Sequence, residues 1–321
     1  MDAIVEPRAE APWHAGELAL QRSVGAAEKL DLVGRLVIRD HLVDQHRAFF
    51  PELPFVVAGA VDPDGDAWAT LIAGRPGFLS APDETALRVS APRDPSDPAD
   101  AGLEDGDAVG LLGLQFETRR RNRLNGTVRR SGHEGFEVAV EDSFGNCPKY
   151  IRQRDARFVR DPETHAGVPS VWLGAQDDRA RRIVERADTF FLATYADFEG
   201  GARQVDVSHR GGLPGFVRIG ADGALTIPDL SGNRFFNSLG NVLTNGRAGL
   251  LFVDFETGDL LQMTGDAELI LDGPEIAGFD GAERLLRVRP RRIALRPEAS
   301  PLRWTERPDG VSPNLQRAAR R

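Results

Sequence analysis

A diverged internal repeat constrains the fold of this chain more than any other feature, because two copies of one unit must form two similar structural modules. The longest match is identical at six of nine positions, at an offset of 139 residues. Four matches occur in the same order along the chain: Gly110–Thr118 with Gly249–Thr257, Gly126 with Gly265, Pro76–Phe78 with Pro214–Phe216, and Phe55–Ala58 with Phe190–Ala193. We therefore expect a duplicated fold whose halves pack as a pseudo-dimer.

Each copy has the pattern of a mainly β fold, in which short strands are separated by turn residues. In the second copy the expected strands are Thr189–Tyr195, Gln204–His209, Phe216–Ile219, Ala224–Ile227, Ala248–Phe255 and Leu260–Leu271. One helix is predicted between strands, at Asn233–Leu243. This spacing favours a barrel or sandwich and leaves no room for the βαβ units of a Rossmann fold.

The rest of the chain divides around these two copies. The apolar spacing over Glu17–Phe49 predicts helix, and Asp177–Arg186 predicts another. The expected organisation has five parts: an N-terminal helical segment at 1–50, a first repeat at 51–151, a linker with a helix at 152–187, a second repeat at 188–297, and a polar, partly disordered tail at 298–321.

Composition excludes several classes of function. The net charge of −9 argues against a nucleic-acid partner, which would need a surplus of basic residues. No apolar run is long enough to cross a membrane, and the acidic start of the chain does not resemble a secretory signal, so we expect a cytoplasmic protein. One cysteine excludes an intramolecular disulfide, and the scattered histidines predict no metal site.

The segment from Arg203 to Arg234 holds the groups that a phosphate requires. Arg203, Ser208 and Arg234 supply guanidinium and hydroxyl donors. Ser231–Asn233 precedes the predicted helix, whose first N–H groups can bind an anion. A solvated strand followed by a plain turn and a helix cap explains the same residues equally well.

A family resemblance favours the phosphate site. Gly212-x-Pro214-Gly215-Phe216-Val217, a hairpin, Gly232-Asn233-Arg234 and then Asn245–Phe252 resemble the pyridoxamine 5′-phosphate oxidase-like family. Arg119–Gly126, Phe144–Ile151 and His14–Glu17 resemble a bacterial subfamily with tandem barrels.

The resemblance implies two tandem FMN-binding split β-barrels of Greek-key type, with one FMN held by the second repeat and the first repeat completing the pocket. Arg203-x-Val205-x-x-Ser208 is similar to the family's Arg-x-Val-x-x-Lys strand, and Gly232-Asn233-Arg234 to its Ser-Arg-Lys turn. The cofactor-binding residues that the resemblance implies are Arg203, Val205, Ser208, His209, Ile227, Pro228, Asn233, Arg234 and Gln262.

The implied function is a flavin-dependent oxidoreductase that acts on a small molecule, either as a homodimer or as a pseudo-dimeric monomer. The family's strand lysine is Ser208 here, and the Arg/His pair that binds vitamin B6 has no counterpart near the C-terminus, so oxidation of vitamin B6 is not expected. The alternatives are a non-catalytic flavin carrier and a split barrel that uses deazaflavin or haem, with His209 as the axial ligand.

Three other groups carry two interpretations each. His209 is a weak catalytic candidate, as a proton donor beside the flavin, or an exposed residue at a strand end. For the arginines of the run Arg119–Arg123, one interpretation is that they reach the cofactor phosphate or an acidic substrate. The other is that they form a basic edge strand on the surface, which discourages pairing with another strand. His14, Glu17 and Gln21 share a helix face, for which solvent exposure is the favoured interpretation over a site.

Overall fold

A computed structural model of the chain describes residues 7–145, 147–164 and 169–318. Residues 1–6, on which part of the argument against a secretory signal rests, lie outside the described residues, as does Asn146 of the Phe144–Ile151 motif. Within the described ranges, no helix combines the length and the apolar content needed to span a bilayer.

Three short helices precede the first sheet, in agreement with the helical pattern over Glu17–Phe49. They are α1 (Ala15–Ser23), α2 (Ala27–Val37) and α3 (Asp44–Phe49). Helix α1 begins with a capping box, because the His14 ring accepts a hydrogen bond from the Gly16 N–H and the Glu17 carboxylate accepts one from the His14 N–H.

The first repeat forms a seven-stranded antiparallel sheet. Its strands are β1 (Phe55–Val61), β2 (Ala67–Ala73), β3 (Leu79–Ser80), β4 (Ala86–Val89), β5 (Ala108–Gln115), β6 (Arg120–Arg129) and β7 (Phe136–Gly145). They lie in the order β2-β1-β5-β6-β7-β4-β3. The linker that follows holds β8 (Arg154–Phe158), β9 (Val171–Leu173) and α4 (Asp178–Arg186), and α4 agrees with the predicted helix within one residue.

The second repeat forms a sheet of the same topology. Its elements are β10 (Thr189–Asp197), β11 (Arg203–Gly211), β12 (Arg218–Ile219), β13 (Leu225–Leu230), α5 (Asn237–Asn245), β14 (Arg247–Val253), β15 (Leu260–Ile270) and β16 (Ala282–Arg296). The order is β11-β10-β14-β15-β16-β13-β12, with β9 added beside β16. Each strand of this path is the counterpart of one in the first sheet, so the duplication and the mainly β, tandem fold are confirmed.

An irregularity in the strand pairing also recurs. The register shifts between Asn125 and Gly126 where β6 pairs with β7, and between Thr264 and Gly265 where β15 pairs with β16. These are the two glycines that the sequence offset aligns. A bulge kept at equivalent positions bends both sheets in the same way.

The two sheets pack against each other through an apolar layer and through two equivalent glycines. A Cβ atom on Gly110 would lie 2.5 Å from the carbonyl oxygen of Val205, and one on Gly249 would lie 2.3 Å from that of Ala67. Val205 and Ala67 are themselves separated by the repeat offset of 138 residues. The contact is therefore isologous, as in a twofold dimer.

Two expectations about helices and termini are wrong. The predicted helix over Asn233–Leu243 begins four residues later, because Arg234 and Phe236 have φ values of 62° and 63° and cannot continue a right-handed helix. The tail is ordered through β17 (Leu302–Glu306), which pairs with β8, and α6 (Pro313–Ala318). Leu302, Trp304 and Leu315 are buried, and these apolar contacts anchor a segment that reads as polar.

Candidate functional site: a cationic cleft between the repeats

A cleft opens where β6 of the first repeat meets β11, β13 and the start of α5 in the second. Arg121, Arg123, Lys149 and Tyr150 of the first repeat line one side. Clefts at such interfaces are common ligand sites. The second repeat supplies the rest of the lining: Ser208, His209, Arg210, Gly211, Phe216, Pro228, Asp229, Leu230, Gly232, Arg234, Phe236, Asn237, Ser238, Leu239, Glu283 and Arg284.

Arg121 reaches the cleft without a carboxylate partner among the described residues. Its Nη1 donates a long hydrogen bond of 3.4 Å to the carbonyl of His209, and its Nε has no partner in the described part of the chain. Burial, reinforced by the neighbouring charge of Arg123, lowers the pKa of Arg121 to about 9. The group is still protonated at neutral pH, so a half-buried positive charge faces the cleft.

Arg123 lies two residues further along the same strand face. Its Nη1 is 3.5 Å from the Asp206 carboxylate and 3.4 Å from Oδ1 of Asn237, and its Nε is unpaired within the described residues. Burial lowers the pKa of this guanidinium, and the Asp206 carboxylate only partly opposes the shift. Because an incompletely paired buried charge is costly, an anion in the cleft would stabilise both arginines.

The opposite wall is already paired. Asp229 accepts hydrogen bonds of 2.6 Å from Arg210 and of 2.6 Å from Arg284, and Glu283 accepts one of 2.8 Å from Arg284. The charges of this wall therefore largely offset one another. The surplus positive charge lies on the side that the first repeat supplies.

The first turn of α5 adds neutral donors. Ser238 lies in this turn, buried, with its Oγ 2.8 Å from Oγ of Ser208 on β11. The residue at the N-cap, Phe236, has no side chain able to cap the helix. The first N–H groups of α5 are therefore not capped by a side chain at this position, which suits an anionic ligand.

Backbone strain concentrates at the cleft. Among the described residues, five non-glycine residues have positive φ, and three of them, Tyr150, Arg234 and Phe236, line the cleft. The Tyr150 hydroxyl donates to the carbonyl of Ser231 at 2.9 Å, so the first repeat holds the strained turn of the second. Such conformations persist where the surrounding structure enforces them, commonly at functional sites.

His209 is buried, so its interpretation as an exposed residue at a strand end is wrong. The ring packs edge-on against Phe116 and Phe191, and Nε2 has no partner in the described chain. Burial first, and then the charge of Arg121, holds its pKa well below the usual value. The imidazole is neutral at neutral pH and is no proton donor of the imidazolium type.

Ser208, His209, Pro228 and Arg234 line the cleft as predicted by position, but the other expected cofactor residues lie outside it. Arg203 forms an ion pair of 2.6 Å with Asp197 and stacks on Tyr195 at the far end of β11. Ile227 lies in the core of the second repeat, because alternation along β13 points it away from Pro228.

Val205 and Asn233 also lie outside the cleft, as does Gln262. Val205 packs between the two sheets, and Asn233 is exposed, with its side chain accepting from the Phe235 N–H. Gln262 is fully buried and donates to the carbonyl of Ala69 and to Asp97.

Sequence reasoning located the arginine run but not its alternation. Arg121 and Arg123 face the cleft, whereas Arg120 stacks over the Phe49 ring on the other face of β6. Arg119, in the turn before β6, binds the carbonyl of Ile151. The period of two along a strand was the signal that could have separated these residues.

The interpretation of His14, Glu17 and Gln21 as a solvated helix face is wrong. Glu17 and Gln21 are fully buried. The face packs on the loop and helix that follow β13, where Gln21 donates to the carbonyl of Phe235 and Glu17 accepts from Asn237. A polar face can be buried when most of its groups meet partners, and here Oε1 of Gln21 is the exception among the described residues.

The repeat offset places a second position opposite the cleft, where Thr70, Leu71 and Ile72 stand for Ser208, His209 and Arg210. A pocket lies there too, but the charged groups beside Thr70 are bonded within the chain. The Asp97 carboxylate accepts from Thr70, from Gln262 and from Arg296. The arginines of the first cleft have no counterpart on β15, since Leu260 and Gln262 occupy the equivalent positions.

Residues 176–304 match the family model described as pyridoxamine 5′-phosphate oxidase. No curated protein matches the chain. Similar solved structures include HupZ from Group A Streptococcus, with 13% identity over 42% of this chain and 97% of that chain at a TM-score of 0.29. The FAD-binding protein from Mycobacterium smegmatis has 15% identity over 40% of this chain and 98% of that chain, at a TM-score of 0.27. The haem storage protein HutZ from Vibrio cholerae has 14% identity over 39% of this chain and 92% of that chain, at a TM-score of 0.25.

Proposed function

We propose that the protein binds FMN in the cleft between its repeats and acts as a flavin-dependent oxidoreductase on a small molecule. The first ground is that residues 176–304 of this chain belong to the pyridoxamine 5′-phosphate oxidase-like split-barrel family. The observation that carries the proposal is the convergence of Arg121 and Arg123 of the first repeat with the start of α5 in the second. The two repeats together form one cationic site.

The residues present fit a phosphate group. Among the described residues, Arg121 has no carboxylate partner and Arg123 has only Asp206, at 3.5 Å. The paired hydroxyls of Ser208 and Ser238 lie at the first turn of α5. A dianion would replace missing interactions of Arg121 and Arg123 rather than compete with existing ones. Arg123, Ser208 and Ser238 are the residues that we expect to hold it.

The remaining lining can hold the planar part of the cofactor. Phe216, Pro228 and Tyr150 give the cleft apolar surface away from Arg123. His209, which packs edge-on against Phe116, adds an uncharged ring to the lining. Bound flavin supplies hydride and electron transfer, and the protein orients and tunes it.

We propose one FMN per chain. In the pseudo-equivalent pocket around Thr70, Gln262 and Arg296 already donate to Asp97, and Leu260 and Gln262 stand where Arg121 and Arg123 stand in the cleft. The substrate is proposed to be a molecule other than a vitamin B6 phosphate, because the position of the family's strand lysine is Ser208, which is bound to Ser238.

Haem, deazaflavin and a purely carrying role are the competing assignments. Haem has one observation in its favour, since Nε2 of the neutral His209 has no partner among the described residues. That atom has almost no exposed surface, however, so an iron atom could bind it only after neighbouring atoms moved. We therefore place FMN first.

The visible spectrum of the purified protein tests the proposal. We expect flavin absorption bands and release of about one FMN per chain on denaturation, with reduction of the bound flavin by NADH or NADPH. A Soret band would indicate haem. A carrier role would be indicated if neither NADH nor NADPH reduced the bound flavin and no candidate acceptor reoxidised it. A colourless protein that takes up no added FMN would contradict the proposal.

A further inference from the structure

We propose that Glu17, in the N-terminal helix α1, is a positioning residue for the cleft, acting through the side-chain amide of Asn237 on the guanidinium of Arg123. The inference rests on the proposed function, because it concerns the same cleft. It assigns a role in ligand binding to a helix that contributes no residue to the cleft lining.

Close packing of two helices brings Glu17 to this place. A Cβ atom on Gly16 would lie 2.2 Å from the carbonyl oxygen of Gly240, and one on Gly240 would lie 2.6 Å from the backbone nitrogen of Glu17. The backbones of α1 and α5 therefore touch at their glycines. The Glu17 side chain, 1% exposed, is thereby directed at the first turn of α5.

The amide of Asn237 joins Glu17 to the cleft. Its Nδ2 donates to Oε1 of Glu17 at 2.5 Å, and its Oδ1 accepts from Nη1 of Arg123 at 3.4 Å. Arginine has donors only, so the amide must present its oxygen to Arg123. Glu17 favours this orientation because its oxygen accepts from Nδ2 of Asn237. In the flipped orientation, the NH2 group of Asn237 would face the N–H donors of Arg123.

A parallel link lies one turn further along α5. Nε2 of His14 is 2.8 Å from Oδ1 of Asn241, whose Nδ2 donates to Thr194 at 3.1 Å and to Asp206 at 3.3 Å. Asp206 is the carboxylate that faces Arg123. Glu17 thus bonds directly to one partner of Arg123, and His14 reaches the other, Asp206, through Asn241.

The charge of Glu17 is not required for this role. Burial, together with the nearby Asp206 carboxylate, raises the pKa of Glu17 well above its usual value. A neutral carboxyl or a carboxamide still offers a carbonyl oxygen to Nδ2 of Asn237. Glutamine should therefore keep the bond to Asn237, although it loses the acceptor that Oε2 offers to the His14 N–H. A side chain without an acceptor should keep neither bond.

The test compares FMN dissociation constants of the full-length protein and its variants. Glu17→Met keeps the volume and the helix propensity but removes the acceptor, and we expect FMN to bind about tenfold more weakly, as for one lost hydrogen bond. Glu17→Gln should stay within about threefold of the wild type. In an Asn237→Ala background, Glu17→Met should cause no further loss.

Leu30→Ala is the matched control, because it removes a buried side chain of α2 that packs on Trp13 and does not contact Asn237. It should lower the melting temperature and leave FMN affinity unchanged. Glu17→Ala serves as a second acceptor-free variant, should Glu17→Met not fold.

Three results would each overturn the inference. The acceptor-free variants could bind FMN as tightly as the wild type, Glu17→Gln could fail to retain binding, or the losses could multiply in the double variant. A wild-type protein that does not bind FMN would instead overturn the proposed function.

Discussion

At the scale of single residues, arginines on the same strand, β6, have different surroundings. The guanidinium of Arg123 is buried beside the cleft, 3.5 Å from the Asp206 carboxylate, and its Nε has no partner among the described residues. Arg120, three positions earlier, stacks on Phe49 and donates to the carbonyl of Gln45. Side chains along β6 point alternately to the two faces of the sheet, so Arg120 and Arg123 lie on opposite faces although they carry the same charge.

We predict that Arg123→Ala weakens FMN binding by about 2–5 kcal/mol, as for a truncated partner of a desolvated charge pair. Arg234, whose side chain is 46% exposed and 4.0 Å from Glu283, should contribute only about 0.2–1 kcal/mol when replaced by alanine. Isothermal titration with FMN measures both. Arg120→Ala is the control on the same strand, and an equal loss for Arg120 and Arg123 would contradict the assignment.

A buried histidine sets an acid limit on stability. His46 on α3 shares a hydrogen bond of 2.7 Å with Oγ of Ser143, and burial, followed by the charge of Arg120, lowers its pKa to about 4. The unfolded chain takes up a proton near pH 6.5, and the folded chain does so only near 4. Stability is therefore constant above 6.5 with respect to this group and falls as the pH drops from 6.5 towards 4.

We predict that His46 contributes up to about 2 kcal/mol to the loss of unfolding free energy between pH 7 and pH 5. Urea denaturation at both values should show this extra loss in the wild type and not in His46→Gln. His209 acts in the same direction in both proteins, so only the difference between them is diagnostic. Equal pH dependence of the two would show that His46 is protonated in the folded state.

At the scale of elements, regular strands were predictable and the strained turn was not. Apolar and β-branched runs placed six strands of the second repeat to within a few residues. They missed β16 (Ala282–Arg296), where arginines interrupt the apolar residues. The start of α5 was placed four residues early, because nothing in Gly232-Asn233-Arg234 reveals that Arg234 and Phe236 adopt left-handed conformations. That conformation is enforced by tertiary contacts, including the bond from Tyr150 to Ser231.

The paired glycines on β5 and β14 give a prediction at this scale. We expect Gly110→Ala to destabilise the fold by about 1–3 kcal/mol, because the added methyl group would press on the carbonyl of Val205. Gly132→Ala is the control, since nothing lies within 4 Å of its Cβ position. Chemical denaturation compares them, and equal stability of the two variants would argue against close packing of the sheets at Gly110.

For the whole molecule, the duplication was visible in the sequence because it preserved turn and bulge residues such as Gly126 and Gly265. The site was less accessible, since it is built from both repeats. Arg203 and Gln262, chosen from one repeat by resemblance, lie outside the cleft, whereas Arg121 and Arg123 come from the other repeat. Contacts that join segments more than 80 residues apart, such as Arg123 to Asp206, depend on how the sheets dock.

The difference between FMN and riboflavin affinity tests the central claim most directly, because the two ligands differ only in the phosphate. Titration of the flavin-free protein should show FMN binding at least about thirtyfold more tightly than riboflavin, the low end for a desolvated charge pair. In Arg123→Ala most of this preference should disappear while riboflavin affinity is retained. Equal affinity of the wild type for both ligands would contradict a phosphate site in the cleft between the repeats.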